Sequence, residues 1–297
     1  MSAKEPLVYI DGVYYLKSQA RISVYDHGFL YGDGVFESAR SYGGRVFKLK
    51  EHVDRLYKSA HTIKLTIPMA KEEMLKAVLE TFRKNNLKDA YVRIVVTRGL
   101  GDLGLDPRKC PKPTVIVIAE PLLPLLGVEA AEKGVAAIIS SVRRDPVDST
   151  THEVKSLNYL NSILAKLEAN EAGVSEAIIL DHRGLICEAT GENIFIIREG
   201  KIYTPPTSTG ALPGITRGVT MELAEKLGYK VYEKDITVHE LFNADEAFMT
   251  GTAAEIVPLV KIAGRTVADG KPGKITKHLV QEFKKLTEKE GSPIYSS

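Results

Sequence analysis

The sequence predicts a mixed α/β (α+β) protein with two domains, and three observations lead to this prediction. A chain of 297 residues is long for a single small hydrophobic core. Runs of β-branched residues alternate with stretches in which apolar residues recur every three or four positions, as in helices. The segment Pro121-Leu122-Leu123-Pro124 has two prolines and no periodicity. We therefore predict a small domain over residues 1–121, a linker over 122–130 and a larger domain over 131–297.

The first domain is predicted to open with a β-hairpin. Asp11-Gly12, a pair that favours tight hairpin turns, stands between two short apolar strands. Residues 99–107 are rich in glycine and lack a period, so they are a candidate active-site loop. Between and after these features, two amphipathic helices and two β-branched strands are expected at residues 53–63, 75–82, 91–97 and 114–119.

The second domain is predicted to be richer in strands, with helices between them. Gly228 is expected to end the second of three helices, because glycine favours the left-handed backbone found just after a helix. Strands are predicted at residues 135–140, 177–181, 193–197 and 246–249. The helices are predicted from apolar residues at helical spacing: Leu157, Leu160, Leu164 and Leu167; Val219, Leu223 and Leu227; Ile275, Leu279, Phe283 and Leu286.

Composition narrows the possible functions. The formal net charge is +2, and 44% hydrophobic with 26% charged residues is typical of an ordinary globular protein. No basic run suggests a nucleic-acid or membrane-surface partner, and no apolar run is long enough to cross a membrane. The N-terminus lacks the apolar core of a signal peptide, and Cys110 and Cys187 form no metal-ligand cluster. We expect a cytoplasmic protein without a metal, a nucleic-acid partner or a membrane partner.

The most informative feature is the order of four short motifs. Lys155, in Glu153-Val154-Lys155-Ser156, is followed 33 positions later (188 minus 155) by Glu188. Two turns rich in glycine and threonine come next, Pro213-Gly214-Ile215-Thr216 and Thr250-Gly251-Thr252. Together they supply what a pyridoxal phosphate enzyme needs. The lysine amine condenses with the cofactor's aldehyde, the carboxylate keeps the ring nitrogen protonated, and the turns bind the phosphate.

Each motif has a simpler interpretation when it is taken alone. Most lysines are solvated surface charges, but Lys155 lies between a strand-like segment and an apolar helix, where an amine can be desolvated and become nucleophilic. Glu188 alone is typical of an exposed edge carboxylate. Residues 214–216 suit either a plain helix start or an anion site made of free N–H groups. Arg55 suits either a surface salt bridge or the fixed positive charge that a phosphate needs.

Together the motifs resemble those of the fold-type IV pyridoxal phosphate enzymes, and most closely the branched-chain amino acid aminotransferases. The resemblance extends from Tyr25-Asp26-His27-Gly28-Phe29-Leu30-Tyr31-Gly32 to Gly251-Thr252-Ala253-Ala254-Glu255-Ile256, with each motif in the family's order. It implies a small N-terminal α/β domain and a larger pseudo-barrel domain that carries the cofactor lysine. It also implies transamination of L-leucine, L-isoleucine and L-valine with 2-oxoglutarate, which gives branched 2-oxo acids and L-glutamate.

The resemblance implies a role for individual residues. Lys155 is the implied catalytic lysine that bonds to pyridoxal 5'-phosphate, Glu188 pairs with the pyridine nitrogen, and Tyr159 hydrogen-bonds the phenolic oxygen. The residues implied to hold the phosphate are Arg55, Ile215, Thr216 and Thr252. Those implied to bind the substrate are Tyr91 and Arg93 of a Tyr-x-Arg motif, Thr252, Ala253, Phe36 and, from a partner subunit, Tyr31 and Leu105. A homodimer unit, with a hexamer as a higher assembly, follows from the same resemblance.

Related functions remain as alternatives. D-amino acid aminotransferases, the nearest of these, share Lys155-Ser156-Leu157-Asn158, but their Arg-x-His carboxylate trap has no counterpart after Thr97-Arg98-Gly99. Aminodeoxychorismate lyases have the same fold and are disfavoured by Tyr91-Val92-Arg93. A catalytically silent carrier of the cofactor would not need the whole set of motifs. The sequence departs from the family at Ser38, where glycine is frequent, and in residues 122–126, which lack an aromatic residue.

Overall fold

The computed structural model divides the chain into two compact units. It describes residues 5–122, 126 and 129–295. Within these, the first unit contains residues 5–122, 154–158 and 287–295, and the second contains residues 126, 129–153 and 159–286.

This division differs from the sequence prediction at two segments. The sequence places residues 154–158, which we call the lysine segment, and residues 287–295 in the larger domain. The structure packs both with the first unit. The linker over 122–130 stays a prediction, because residues 123–125 and 127–128 lie outside the described residues.

Every helix and strand predicted from the sequence has a counterpart in the structure. From residue 5 to residue 122, the elements are β1 (Leu7–Ile10), β2 (Val13–Leu16), α1 (His27–Tyr31), β3 (Gly34–Tyr42), β4 (Arg45–Val46), α2 (Leu49–Thr62), α3 (Lys71–Lys84), β5 (Ala90–Thr97) and β6 (Thr114–Glu120). From residue 129 to residue 295, they are α4 (Ala130–Lys133), β7 (Val135–Arg143), α5 (Leu160–Glu171), β8 (Glu176–Leu180), β9 (Ile186–Ala189), β10 (Asn193–Arg198), β11 (Lys201–Thr204), α6 (Ile215–Lys226), β12 (Val231–Glu233), α7 (Val238–Phe242), β13 (Glu246–Gly251), β14 (Glu255–Ile262), β15 (Arg265–Thr266), α8 (Lys274–Lys289) and β16 (Ser292–Pro293). None of the helices in the described residues combines the length and the apolar character that crossing a membrane requires.

The first unit is built on a seven-stranded antiparallel sheet in the order β16-β4-β3-β5-β6-β1-β2. The predicted hairpin is confirmed: β1 pairs with β2, and Asp11 (φ 49) and Gly12 (φ 94) both take the left-handed backbone of a tight hairpin turn. Helices α2 and α3 pack on the sheet. Leu56, Met74 and Phe82 are fully buried in the resulting core.

Strand β3 presents different side chains to the two faces of this sheet, because successive residues of a strand point in opposite directions. Val35 and Ala39 belong to the core beneath α2. Glu37 has the same parity, so it shares their face, and it is fully buried. Phe36 and Ser38 lie on the opposite side, which we call the Phe36 face. One strand thus carries a buried charge on its inner side and the predicted pocket residue on its other side.

The beginning of β3 has a second partner besides β5. The lysine segment runs antiparallel to it: Phe36 N–H donates to Lys155 O (2.9 Å), and Leu157 N–H donates to Gly34 O (3.0 Å). On α2, Ser59 Oγ accepts from Lys155 N–H at 3.2 Å. These bonds explain why the lysine segment belongs to the first unit although the chain before and after it belongs to the second.

Six strands of the second unit close into a barrel. Their order is β10-β13-β14-β7-β8-β9, and the pairing of Glu188 on β9 with Asn193 on β10 completes the ring. Strand β7 runs parallel to β14 and β8, whereas the other pairs of the ring are antiparallel. Every residue of β8 and β9 is buried. The predicted pseudo-barrel is therefore confirmed.

Helix α5 confirms the helix predicted around its leucines but turns those leucines outward. The buried side of α5 contains small residues such as Ala165 and Ala169, which let the helix lie close to β7 and β8. Leu157 lies before the helix, in the lysine segment. The exposed side, which we call the α5 apolar face, consists of Leu160, Ile163, Leu164 and Leu167. The core of the second unit does not use this apolar stripe.

Several strands were not recognisable from the sequence pattern. Strand β3 has Glu37, Ser38 and Ser41 among its buried residues, so it lacks the usual alternation of apolar and polar positions. Strand β14 contains Pro258, and proline ordinarily argues against a central strand. Strand β9 has only four residues. Hydrogen bonding to neighbouring strands, rather than residue pattern, defines these elements.

Glu246, at the start of β13, caps helix α8. Its carboxylate accepts from Ile275 N–H (3.0 Å), Thr276 N–H (2.8 Å) and Thr276 Oγ1 (2.6 Å). We expect Glu246→Ala to lower the free energy of unfolding by about 1–2 kcal/mol, because these donors lose their acceptor. Urea unfolding followed by circular dichroism measures the change. The exposed Glu222 provides the control, and an equal loss in Glu222→Ala would contradict the capping role.

Candidate active site

The amine of Lys155 lies beside the Phe36 ring. The Lys155 backbone is bonded to Phe36 through its carbonyl and to Ser59 through its N–H, and Nζ lies 4.6 Å from the ring centroid. Arg93, on β5, places its guanidinium carbon 4.7 Å from the same centroid. The structure therefore brings two predicted site residues, Lys155 and Arg93, to the ring of a third, Phe36.

Tyr91 shares the Phe36 face with Arg93. In the register between β3 and β5, Arg40 is opposite Tyr91 and Ser38 is opposite Arg93. Ser38 Oγ is buried and has no hydrogen-bond partner within the residues that the structure describes. Ser38 on β3 and Tyr91 and Arg93 on β5 thus place polar groups on the Phe36 face. This row of donors is chemically suited to a carboxylate.

Arg55 forms a buried ion pair. Glu37 Oε1 accepts from Arg55 Nε (2.5 Å), and Glu37 Oε2 accepts from Arg55 Nη2 (3.1 Å) and from His52 Nδ1 (2.9 Å). Burial raises the pKa of Glu37, but the charge of Arg55 and the hydrogen bond from His52 outweigh it and bring the pKa to about 2. A surface salt bridge, one of the two interpretations of Arg55, is therefore wrong.

Tyr31 and Leu105 have exposed side chains on two segments that contact each other, α1 and the glycine-rich loop. Tyr31 ends α1, and its Oη donates to Leu103 O in the glycine-rich loop at 2.5 Å. Leu105 is 80% exposed and Leu103 is 68% exposed. Phe29, also on α1, is 67% exposed. We call these four residues the loop patch. A single chain leaves their apolar side chains largely uncovered.

In the second unit, Glu188 is buried where β9 meets β10. Its Oε1 lies 3.2 Å from Arg144 Nη2, and its Oε2 accepts from Leu212 N–H at 2.9 Å. Arg144 is itself fully buried. The other groups that accept hydrogen bonds from Arg144 are Asn161 Oδ1, Ser162 Oγ and Ala189 O. The interpretation of Glu188 as an exposed edge carboxylate is therefore wrong.

Tyr159 precedes α5, and its ring packs edge-on against His152 with centroids 6.0 Å apart. His152 Nε2 donates to Asp145 Oδ2 at 3.1 Å. Burial, followed by the charge of Arg144, lowers the pKa of His152 against the opposing effects of Glu188 and Asp145. The imidazole is therefore neutral at neutral pH. It gives the Tyr159 ring a fixed neighbour.

Helix α6 begins without a side-chain cap, because Gly214 is its N-cap residue. The N–H groups of Ile215 and Thr216 lie in the first turn, where a helix has no acceptors of its own and its dipole favours an anion. Asn193 shapes the preceding turn by donating from Nδ2 to Leu212 O at 2.8 Å. Its Oδ1 would lie only 2.1 Å from a Cβ at position 214, so a side chain there would have to displace Asn193. This geometry favours the anion-site interpretation over a plain helix start.

Thr252 and Ala253 lie in the turn between β13 and β14. Gly251 pairs with Glu255 across this turn, and Glu255 takes the left-handed backbone (φ 62). Thr250, just before the turn, is buried, and its Oγ1 has no hydrogen-bond partner in the described part of the chain. A tight turn beside an unsatisfied hydroxyl is suited to binding a small anion.

Sequence reasoning missed the buried partners of the predicted residues. Glu37 follows Phe36 directly, and His52 and Arg55 are three positions apart on α2, so a shared face of that helix was a usable signal. Arg144 gave no such signal, because it lies 44 positions before Glu188 (188 minus 144) and only the barrel brings the two together.

We expect Arg144→Met to lower the free energy of unfolding by about 3–5 kcal/mol, because it leaves the Glu188 carboxylate buried without its cation. Urea unfolding of the full chain measures the change. Arg108, 88% exposed in its pair with Asp106, is the matched control, and Arg108→Met should cost less than about 1 kcal/mol. Wild-type stability in Arg144→Met would contradict a structural role for this ion pair.

The chain is similar to known proteins over nearly its whole length. Residues 34–262 match the family model described as amino-transferase class IV. A protein of Methanocaldococcus jannaschii that carries branched-chain-amino-acid aminotransferase as a provisional name is 55% identical over 288 residues, covering 97% of this chain and 99% of the relative. The solved branched-chain amino acid aminotransferase of Escherichia coli is 37% identical, with a TM-score of 0.94 and coverage of 97% of each chain.

A more distant solved structure agrees with these relatives. The branched-chain amino acid aminotransferase of Thermobaculum terrenum, in its PLP form, is 27% identical, with a TM-score of 0.87 and coverage of 97% of this chain and 95% of that one. The family match, the full-length relatives and the closed barrel lead to the same conclusion. The chain belongs to the class IV aminotransferases, which have the fold-type IV architecture that the sequence motifs resemble.

Proposed function

We propose that this protein is a branched-chain-amino-acid transaminase. It exchanges the amino group of L-leucine, L-isoleucine or L-valine for the oxygen of 2-oxoglutarate, giving branched 2-oxo acids and L-glutamate. The names of its relatives support this substrate class. The observation that carries the proposal is the grouping of the Lys155 amine and the Arg93 guanidinium around the Phe36 ring. An amine, a carboxylate-binding cation and an apolar wall are the parts that an amino acid substrate requires.

The residues present fit pyridoxal 5'-phosphate, on which class IV aminotransferases depend. The uncapped start of α6 offers the N–H groups of Ile215 and Thr216. Arg55 offers a guanidinium whose plane is already fixed by an ion pair. Thr250 Oγ1 is a buried hydroxyl without a partner among the described residues. We assign the phosphate to Arg55, Ile215 and Thr216, together with Thr252 of the following turn.

Glu188 and Tyr159 fit the ring of the cofactor. When bound, pyridoxal phosphate supplies an aldehyde carbon and a ring that withdraws electrons from the substrate Cα. A carboxylate has about four acceptor positions, and Arg144 and Leu212 use two of those on Glu188, so Glu188 can also hold a proton on the ring nitrogen. Tyr159, with its ring against His152, is assigned to the phenolic oxygen.

Lys155 is the residue to which we assign catalysis. Its Nζ would bond to the aldehyde carbon that the cofactor supplies, and the same amine would move the proton that leaves the substrate Cα. Positioned proton transfer of this kind contributes ~10²–10⁴ in rate. The Lys155 backbone is held by Phe36 and Ser59, so the side chain can move while its attachment point stays fixed.

Substrate selection is assigned to the Phe36 face and the turn after β13. Phe36 provides an apolar wall for an aliphatic side chain. Arg93 and Tyr91 provide donors for a carboxylate, as do the backbone N–H groups of Thr252 and Ala253. Donors of this kind suit the carboxylate of an aliphatic amino acid and those of the dicarboxylate 2-oxoglutarate alike.

We propose a homodimer as the basic assembly, with Tyr31 and Leu105 reaching the partner's substrate pocket. The exposed loop patch supports this, because apolar side chains that a single chain leaves uncovered are typical of interfaces. The α5 apolar face is a second uncovered surface and supports a higher assembly such as a hexamer. A cytoplasmic location, and the absence of nucleic-acid and membrane partners, remain predictions from the sequence.

The cofactor assignment predicts a covalent attachment point. Borohydride reduction of the purified protein loaded with pyridoxal 5'-phosphate, followed by peptide mapping, should place the modification on Lys155, whose carbonyl accepts from Phe36 N–H and whose N–H donates to Ser59 Oγ. Lys155→Ala should remove the label, whereas the exposed Lys230→Ala should retain it. Label on a different lysine would refute the assignment.

The substrate assignment predicts both enantiomer and carboxylate dependence. Glutamate formed from 2-oxoglutarate should be rapid with L-leucine and slow with D-alanine. Arg93→Ala should raise KM for L-leucine and for 2-oxoglutarate by about 10-fold or more, because a charge-assisted contact to each carboxylate is lost. The exposed Arg21→Ala serves as the control and should leave both values unchanged. Faster turnover of D-alanine would favour the D-amino acid aminotransferase alternative instead.

A further inference from the structure

A buried charged cluster in the first unit contains two residues to which neither the sequence motifs nor the proposed function gives a role. Glu37 is fully buried on the inner side of β3, and His52 and Arg55 reach it from α2. The Glu37 carboxylate accepts from Arg55 Nε (2.5 Å), Arg55 Nη2 (3.1 Å), His52 Nδ1 (2.9 Å) and the N–H of Ser38 (3.1 Å). Two of these contacts form a bidentate hold on one edge of the guanidinium.

The cluster is permanently charged and surrounded by apolar side chains. Glu37 stands between Val35 and Ala39, both of which belong to the hydrophobic core. Burial alone raises its pKa, yet the charge of Arg55 and the hydrogen bond from His52 bring the pKa to about 2. The carboxylate is therefore ionised at any pH at which the protein is expected to work.

Stability gives no sufficient reason for such a pair. Replacing a buried ion pair by apolar residues of similar volume is often neutral or stabilising, because two charges must be removed from water. The cluster is also directly linked to the lysine segment. Phe36, next to Glu37, donates its N–H to Lys155 O, and Ser59, one helical turn after Arg55, accepts from Lys155 N–H. The ion pair thus sits on the two elements that hold Lys155.

We infer that Glu37, supported by His52, is a positioning residue that orients the Arg55 guanidinium for the phosphate of the cofactor. This inference rests on the proposed function, in which Arg55 binds that phosphate. The guanidinium is a planar fork, so a bidentate hold on its Nε/Nη2 edge fixes the plane and the direction of the opposite edge. An arginine held in this way loses less conformational freedom when it binds an anion.

The negative charge of Glu37 and its positioning of Arg55 have opposite effects on phosphate binding. The direction of the change in Glu37→Gln therefore distinguishes the two. A carboxylate near Arg55 offsets part of its positive charge and repels a phosphate dianion. If Glu37 acted only through its charge, Glu37→Gln would tighten phosphate binding. If Glu37 positions Arg55, the same variant should weaken binding, because the glutamine amide cannot accept from both guanidinium nitrogens.

The test compares two aldehydes that differ only in the phosphate. The full-length protein, stripped of cofactor, is titrated with pyridoxal 5'-phosphate and separately with pyridoxal, and binding is followed by visible absorbance. In Glu37→Gln, the Kd for pyridoxal 5'-phosphate should rise by about 10-fold or more, whereas the Kd for pyridoxal should change by less than about 2-fold. Glu51→Gln removes an exposed carboxylate from α2, the helix that carries Arg55, and is the matched control that should change neither Kd.

A double-mutant cycle separates positioning from a general loss of structure. Arg55→Lys keeps the charge but cannot take the bidentate hold, so it should show the same selective loss for the phosphorylated ligand. Glu37→Gln should then add little in the Arg55→Lys background. His52→Asn, which leaves the Glu37–Arg55 contacts in place, should give a smaller selective loss and provides a second readout if Glu37→Gln does not fold.

The outcomes are distinguishable. A Glu37→Gln variant that binds pyridoxal 5'-phosphate as tightly as the parent, or more tightly, overturns the positioning role and leaves the proposed function intact. Equal losses for both aldehydes, or full additivity with Arg55→Lys, overturn it as well. A parent protein that binds neither aldehyde on Lys155 refutes the proposed function itself.

Discussion

The backbone hydrogen bonds that fasten the lysine segment to β3 are the constraint on which the site in the first unit depends. The role proposed for Lys155 needs a mobile amine on a fixed backbone, and the carbonyl and the N–H of Lys155 are held by Phe36 and Ser59. The segment also pairs with the edge of the beginning of β3 that faces away from β5. The same bonds therefore complete the sheet and fix the origin of the lysine side chain.

Strand β3 combines two kinds of chemistry because of its two-residue period. Phe36 faces the Lys155 amine and the Arg93 guanidinium, whereas Glu37, one position later, faces Arg55 in the core. A strand is only about 5 Å from its neighbours, so neither group can move far without breaking the sheet. The backbone of β3 thus fixes the position of Phe36 relative to the Glu37–Arg55 ion pair.

Barrel closure has a similar consequence in the second unit. The residues that pair across β9 and β10 are Glu188, assigned to the ring nitrogen, and Asn193, which shapes the turn before α6. One inter-strand contact therefore sets both a carboxylate and the start of the proposed phosphate-binding helix. The buried Arg144 stabilises β9 next to this contact, since it pairs with Glu188 and donates to the carbonyl of Ala189.

The sequence by itself determined the family and the mixed α/β class, and it predicted the residues of the candidate site. The spacing of apolar residues was sufficient to predict amphipathic helices such as α2 and α3. The Asp11-Gly12 pair was sufficient to predict the first hairpin, because both signals are local in sequence. The Lys155 and Glu188 motifs were recognisable because the chemistry restricts those positions to a few residue types.

Tertiary structure alone decided which side of each helix or strand is buried. The leucines of α5 predict a buried stripe, yet alanines make the closer contact with the barrel and the leucines remain exposed. Strands β3, β9 and β14 are defined by neighbours that are distant in sequence, so no local pattern identifies them. The pairs Glu37–Arg55 and Arg144–Glu188 likewise exist only after folding, since burial turns separate charges into fixed ion pairs.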